Sequence, residues 1–228
     1  MIPIEDALAV LQIQSNAQKA IQMKSYHKVE RVYFGVQNSA IDGAVKTWRA
    51  KLSVNDRLAL AVELWDSNIH EARVAAAKLL VQARIYPDDT AWALITSWVP
   101  QFDSWAIADH VCNAGARRLI ADPSRLDVIE DWTTSEHMWT KRAAMMITLP
   151  WAKINNPKPD DLVERERILG WAKLYTGDQA WLIQKSVSFW LRELGRHDAP
   201  RVWAFWDAHG HKMKPSLRKD AIRNLPPR

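Results

Sequence analysis

Three observations predict an all-α fold. Glycine is scarce, with 7 in 228 residues, while alanine and leucine abound, a composition that favours helices. Few segments show the apolar–polar alternation of β-branched residues that half-buried strands need. Short amphipathic segments separated by polar breaks recur along the whole chain instead. Tryptophans lie near the ends of these segments at Trp65, Trp98, Trp132, Trp171 and Trp203, and such intervals fit two-helix solenoid repeats of roughly 35–47 residues. Stacked helical hairpins and an irregular helical bundle both satisfy that spacing. A hydrophobic fraction of 48% with 25% charged residues excludes disorder, and one domain over residues 1–228 is expected.

The elements follow in order. Residues 5–22 read as one amphipathic helix with Ala7, Leu8, Leu11 and Ile21 among its apolar positions. A second is expected from Val54 to Asp66. The next, from Ile69 to Arg84, has a small face of Ala72, Ala75 and Ala76 that would let a neighbouring helix approach closely. Tyr86-Pro87-Asp88-Asp89 is a break, with Asp88 or Asp89 as N-cap of the helix holding Trp92 and Ile95. Asp103 or Ser104 can cap a helix from Trp105 through Leu119. Asp122-Pro123-Ser124 starts another, through Trp132, and His137–Leu149 follows. Asn155 to Asp160 is the clearest loop. Helices are then expected at 160–175, 178–195, 199–209 and 215–225.

The net charge of +5 suits a polyanionic partner but is modest. Its distribution says more. From Arg192 onward, Arg192, Arg196, Arg201, Lys212, Lys214, Arg218, Lys219, Arg223 and Arg228 face only Glu193, Asp198, Asp207 and Asp220. The C-terminal end is the expected basic surface. The 13 tryptophans are expected mainly as fillers between helices. A lone cysteine, Cys112, forms no internal disulfide and points to a reducing cytosol. No signal peptide and no membrane-spanning apolar run are read.

Few local patterns suggest chemistry. Trp105 and Asp109 are four residues apart, so indole and carboxylate project from one helical face. A core tryptophan beside a surface aspartate has the same spacing. Arg142, after Trp139, could clamp a phosphate with its bidentate guanidinium or form an internal salt bridge. The run from Gln184 to Glu193 mixes aromatic and basic residues on one helix. His209-Gly210-His211 has no acidic or cysteine companions, so a surface loop is expected rather than a metal site. No phosphate-binding glycine loop, serine-hydrolase elbow or metalloprotease histidine pair is present.

Several segments, in this order and spacing, resemble the bacterial AlkD-like DNA alkylation-repair glycosylase family. They are Gln18 to Tyr26, Tyr33 to Gln37, Glu63 to Asp66, Ser104 to Asp109, Met138 to Ala144, Gln184 to Glu193, and Pro215 to Ile222. The resemblance covers most of the chain. It implies HEAT-like repeats with a concave DNA-binding face, and excision of N3- and N7-alkylated purines from duplex DNA without a metal or other cofactor. It places the catalytic aspartate at Asp109, a cleft tryptophan at Trp105, a phosphate-contacting arginine at Arg142 and a cleft tyrosine at Tyr26. DNA-backbone contacts look like Arg192, Arg218 and Lys219. The family's second cleft tryptophan falls on Phe189, a smaller ring without an indole N–H. Trp190 beside it is the alternative source of that ring, although one step along a helix turns a side chain by about 100°. The residue after Trp105 is Ala106, where the family often has an acidic group.

The mechanism implied rests on the charge of the lesion. Alkylation makes the purine a cationic leaving group, and cleavage moves positive charge to the deoxyribose. Asp109 would stabilise that charge, Trp105 and Phe189 would offer aromatic faces to the sugar, and Arg142 would hold the neighbouring phosphate. The resemblance implies action on a lesion that stays stacked, in contrast to most base-modifying enzymes. No Schiff-base lysine is identified, so base removal without strand cleavage is expected from a cytoplasmic monomer acting on double-stranded DNA. A non-catalytic DNA-structure binder of the same family and a helical protein-binding scaffold are the competing expectations.

Overall fold

The computed structural model describes residues 1–226; Arg228 of the basic C-terminal set lies outside the described residues. The all-α expectation holds. The described residues contain fourteen α-helices and no strand, and Val32 and Ile69 form an isolated parallel bridge. The chain separates into two compact units, Met1–Ala121 and the part from Asp122 onward, described in turn.

The first unit holds α1 (Ile4–Gln12), α2 (Ala17–His27), α3 (Asn38–Lys51), α4 (Val54–Asp66), α5 (His70–Leu79), α6 (Asp89–Trp98) and α7 (Trp105–Ala121). The single helix expected over 5–22 is two. Asn16 breaks it: its extended backbone precedes α2, and its side chain accepts the Lys19 N–H. Its own N–H donates to the Phe34 carbonyl. Helix α4 matches its expected span, with Ser53 as N-cap accepting the Asp56 N–H. Helix α5 is shorter than the 69–84 expected. Arg118 of α7, fully buried, donates to the carbonyls of Gln82, Ala83 and Ile85 and so holds the chain after α5 in a non-helical path. Its charge is met by Asp88, 3.3 Å away. Helix α3 was not anticipated. Its apolar Ile41, Val45 and Trp48 are all buried, a helical spacing diluted by Asn38, Ser39, Gly43 and Thr47.

The core of this unit is built on the alanines of α5. Ala72, Ala75, Ala76 and Ala77 are wholly buried, and their small side chains let α5 pack closely against α3, α4 and α7. Trp65 and Trp98, two of the recurring tryptophans, stack nearly parallel with centroids 4.3 Å apart, and the Trp65 indole donates to Gln101 Oε1 at 2.9 Å. A buried tryptophan thus fills volume while its N–H stays satisfied.

The second unit holds α8 (Leu126–Trp132), α9 (Met138–Ile147), α10 (Leu149–Ala152), α11 (Pro159–Tyr175), α12 (Trp181–Leu194), α13 (Ala199–His209) and α14 (Pro215–Ala221). Asp122 accepts the Ser124 N–H and caps a short 3₁₀ turn ahead of α8. Helix α12 is central, packing on α9, α10 and α14. Proline begins α11 and α14 at the first helical position, where its missing N–H costs nothing. Trp171 continues the tryptophan pattern, buried and donating to Glu130 Oε1 at 3.1 Å.

Candidate DNA-binding and catalytic residues

In the first unit, α2 and α7 bring together three of the residues singled out in the sequence, Tyr26, Trp105 and Asp109, and α5 packs behind them. The segment 28–37 sets the geometry. Helix α2 ends at Lys28, which takes the left-handed conformation at φ 55° and donates its N–H to the Lys24 carbonyl. The chain then turns through Gly35, at φ 76°. A Cβ there would lie 2.1 Å from the Asn16 carbonyl oxygen, so only glycine fits. Glu71 of α5, completely buried, accepts the backbone N–H groups of Phe34, Gly35 and Val36 at 3.0, 2.7 and 3.2 Å. Arg31 of the same segment pairs with Asp103, just before α7. Asp103, with Ser104 one of the two candidate caps of α7, thus binds this segment beside it.

The result is an aromatic wall. Tyr26 meets Trp105 edge to face, with centroids 6.1 Å apart and planes at 90°. Both rings are open to solvent, Tyr26 at 67% and Trp105 at 43%, so the core alternative for Trp105 does not apply. Behind them His27 stacks on His70 at 4.8 Å, and His70 on Tyr33 at 5.0 Å. Asp109, partly exposed, follows Trp105 by one helical turn. Both line a pocket of about 350 Å³ that also touches His27, His70, His110 and Glu71. Burial holds all three histidines below the ordinary imidazole value. His70 is pushed down to about 3, helped by His27 and Arg31. The three rings are therefore neutral near pH 7.

None of these histidines was singled out in the sequence. They come from three helices, α2, α5 and α7. Among the described residues there is no group of three or more histidine, cysteine or carboxylate side chains able to hold a metal. His209 packs its ring on Phe205 at 5.1 Å. Cys112 is a buried thiol outside any disulfide.

In the second unit the expected contacts lie on three helices. Arg142 on α9 is only 7% exposed, with its guanidinium 5.9 Å from the Trp139 ring centre. Its neighbour Lys141 pairs with Asp178 at 2.5 Å. On α12, Phe189 is half-buried and carries the Arg192 guanidinium 4.9 Å above its ring, while Arg192 also pairs with Asp220 at 2.5 Å. Trp190 points the other way. It is wholly buried, its indole aimed at the Thr148 carbonyl at 3.3 Å, so it cannot supply the missing cleft ring. The turn of one residue along the helix puts Trp190 in the core and leaves Phe189 at the surface.

On α14, Arg218 lies 4.2 Å over Trp206, and Lys219 is exposed. One further pair was not foreseen: exposed Trp181 at the start of α12 carries Lys185 4.6 Å above its ring. The C-terminal basic surface is also less charged than its composition suggested. Arg196 pairs with Glu193 at 3.2 Å, Arg201 with Glu166 at 2.5 Å, and Arg223 with Asp220 at 3.3 Å.

A family model described as DNA alkylation repair enzyme matches residues 7–225. Solved structures share the fold. A predicted DNA alkylation repair enzyme from Enterococcus faecalis superposes with a TM-score of 0.77 at 16% identity, covering 96% of this chain and 100% of its own. AlkD2 from Streptococcus mutans gives 0.62 at 16% identity, covering 92% and 98% respectively. The smu.31 protein of Streptococcus mutans UA159 gives 0.63 at 15% identity, with the same coverage. No functionally curated protein is significantly similar in sequence. With the family match running over nearly its whole length, the chain belongs to the DNA alkylation repair enzyme family.

Proposed function

We propose that the chain is a monofunctional glycosylase that hydrolyses the N-glycosidic bond of N3- and N7-alkylated purines, such as 3-methyladenine and 7-methylguanine, in duplex DNA. One observation carries this reading. Asp109 and the exposed Trp105 share one face of α7, beside Tyr26, at the mouth of a pocket with neutral imidazoles.

The alkylated purine leaves with the electrons of the C1′–N bond and loses its positive charge. The deoxyribose becomes oxocarbenium-like at C1′. Asp109 stabilises that developing charge, and Trp105 adds a cation–aromatic attraction of about 0.5–2 kcal/mol. Water then bonds to C1′ and gives its proton to solvent, leaving an abasic site in an uncut strand. This chain's residues need no metal or organic cofactor for these steps. Arg142, Arg192, Arg218 and Lys219 hold DNA phosphates, with Phe189 as a further aromatic contact. One lesion on one duplex requires only a monomer, and the site of action is the cytosol.

A second reading is favoured by Phe189. A phenyl ring at a position where the family has tryptophan, with Trp190 lost to the core, weakens the aromatic surround and suits a DNA-structure binder that excises nothing. Base release separates the two. Methylated duplex DNA incubated with the protein should yield free 7-methylguanine by chromatography, with no strand breaks until alkali is added. Retention of the duplex without any released base establishes the binder.

A further inference from the structure

We propose that the apolar cup formed by Trp206 of α13, the turn after it and α14 captures the acidic C-terminal tail of a partner protein. The side chain of the tail's last residue enters the cup, and its carboxylates meet the rim. The site lies within the second unit and does not depend on the glycosylase reading.

Shape comes first. Trp206 forms one wall, and Met213, Pro215 and Ile222 complete an apolar interior. The hollow measures about 310 Å³, at the small end of the roughly 300–1,000 Å³ of small-molecule pockets, which suits one apolar side chain. A phosphodiester backbone has nothing to bury there. A stacked base would need an open ring, and Trp206 is already packed. The Arg218 guanidinium lies 4.2 Å from its ring centre, Trp203 meets it at 85° with centroids 5.7 Å apart, and a Cβ on Gly210 would fall 3.3 Å from it.

Charge comes second. The polar side chains of the rim are His211, Arg218 and Lys219, and no carboxylate lines the cup among the described residues. Arg192, Arg196, Arg201 and Arg223 at this end of the chain each pair with a carboxylate. Arg218 and Lys219 form no ion pair among the described residues. Asp220, next in sequence, does not cancel them, because its carboxylate is engaged by Ser188 and Arg192 of α12 and by Arg223. The buried Nε of Arg218 has no hydrogen-bond partner among the described residues, which is uncommon in a finished structure. Unspent cations around an apolar cup complement a chain end. The last side chain is the anchor, its α-carboxylate meets the Arg218 guanidinium, and the acids before it face Lys219 and His211.

The test is fluorescence anisotropy of the intact protein with an N-terminally labelled peptide, Asp-Asp-Asp-Leu-Phe, that has a free C-terminal carboxylate. Replacing the final phenylalanine of the peptide by glycine, or amidating its terminus, should weaken binding about tenfold. Lys219→Glu, which reverses a rim charge, and Ile222→Trp, which fills the cup without changing charge, should each weaken it about tenfold or more. Circular dichroism of each variant verifies folding. A DNA duplex is titrated alongside, and its affinity should not change with Ile222→Trp.

No saturable binding of the peptide by the wild type overturns the proposal. So does equal binding of the glycine-ended or amidated peptide, which would leave charge attraction alone. Peptide affinity unchanged in folded Ile222→Trp removes the cup as its receptor. If Ile222→Trp weakens the duplex more than the peptide, the cup serves nucleic acid and the proposal falls.

Discussion

Around Trp105, burial holds the histidines neutral, and the charged side chains lining the pocket are the carboxylates of Glu71 and Asp109. On α12 and α14 the order is reversed: cations sit over rings, Lys185 on Trp181, Arg192 on Phe189 and Arg218 on Trp206. A guanidinium resting on an aromatic face is already oriented, so it loses little freedom when it meets a phosphate. No lysine or arginine lines the pocket of the first region among the described residues. The second displays protein cations that could meet a polyanion. On the proposed function, attraction to DNA and chemistry on one of its nucleotides call for opposite local charge, and the residues assigned to each lie in different compact units.

If this division is right, the two regions respond differently to substitution. The largest effect is expected at Glu71, whose carboxylate accepts three backbone N–H groups of the 34–36 segment. Glu71→Ala strands those donors and should cost about 3 kcal/mol or more in urea unfolding. A loss below about 1 kcal/mol would show that the segment does not depend on this carboxylate.

Arg192→Ala should leave the fold intact and weaken duplex binding about tenfold, with the log–log salt slope shallower by about one unit. An unchanged slope would mean that Arg192 serves only its ion pair with Asp220.

A pH effect of similar size belongs to the first region. The His70 value falls from 6.5 in the unfolded chain to about 3 in the fold. Between those values the unfolded chain binds the extra proton, so the contribution of neutral His70 is complete above the window and declines as pH falls through it. His27 and His110 shift in the same direction. His70→Leu should therefore lose stability less steeply on acidification, by up to about 1.4 kcal/mol per pH unit. Parallel slopes for wild type and variant would contradict the buried neutral imidazole. The smallest change is expected from Phe189→Trp, which restores the larger ring and should raise base release a few-fold, within the roughly 0.5–2 kcal/mol of one cation–aromatic contact. No gain, with binding intact, would remove Phe189 from the reaction.

Helix α4 was legible from its apolar period, and Trp105 with Asp109 was legible because a four-residue spacing on one helix needs no tertiary information. Helix α3 was obscured by Gly43 and the polar residues around it; packing against α1 and α5 overrides their weak propensity. The break at Asn16 was hidden because its reason lies elsewhere, in the Phe34 carbonyl that its N–H meets. The choice between Phe189 and Trp190 could not be made from adjacency; burial against the second-unit core makes it. The histidine wall was invisible for the deepest reason. His27, His70 and His110 belong to three helices, and nothing local to any of them signals that burial will hold it neutral beside a carboxylate.

On the proposed function, the α7 carboxylate does chemistry and is not needed to hold DNA. Single-turnover release of 7-methylguanine should be measured for wild type and Asp109→Asn, alongside their affinity for the same duplex. Release by Asp109→Asn should be slowed by about a hundredfold or more with duplex affinity unchanged. Wild-type release by Asp109→Asn, or equal losses of release and affinity, would contradict it.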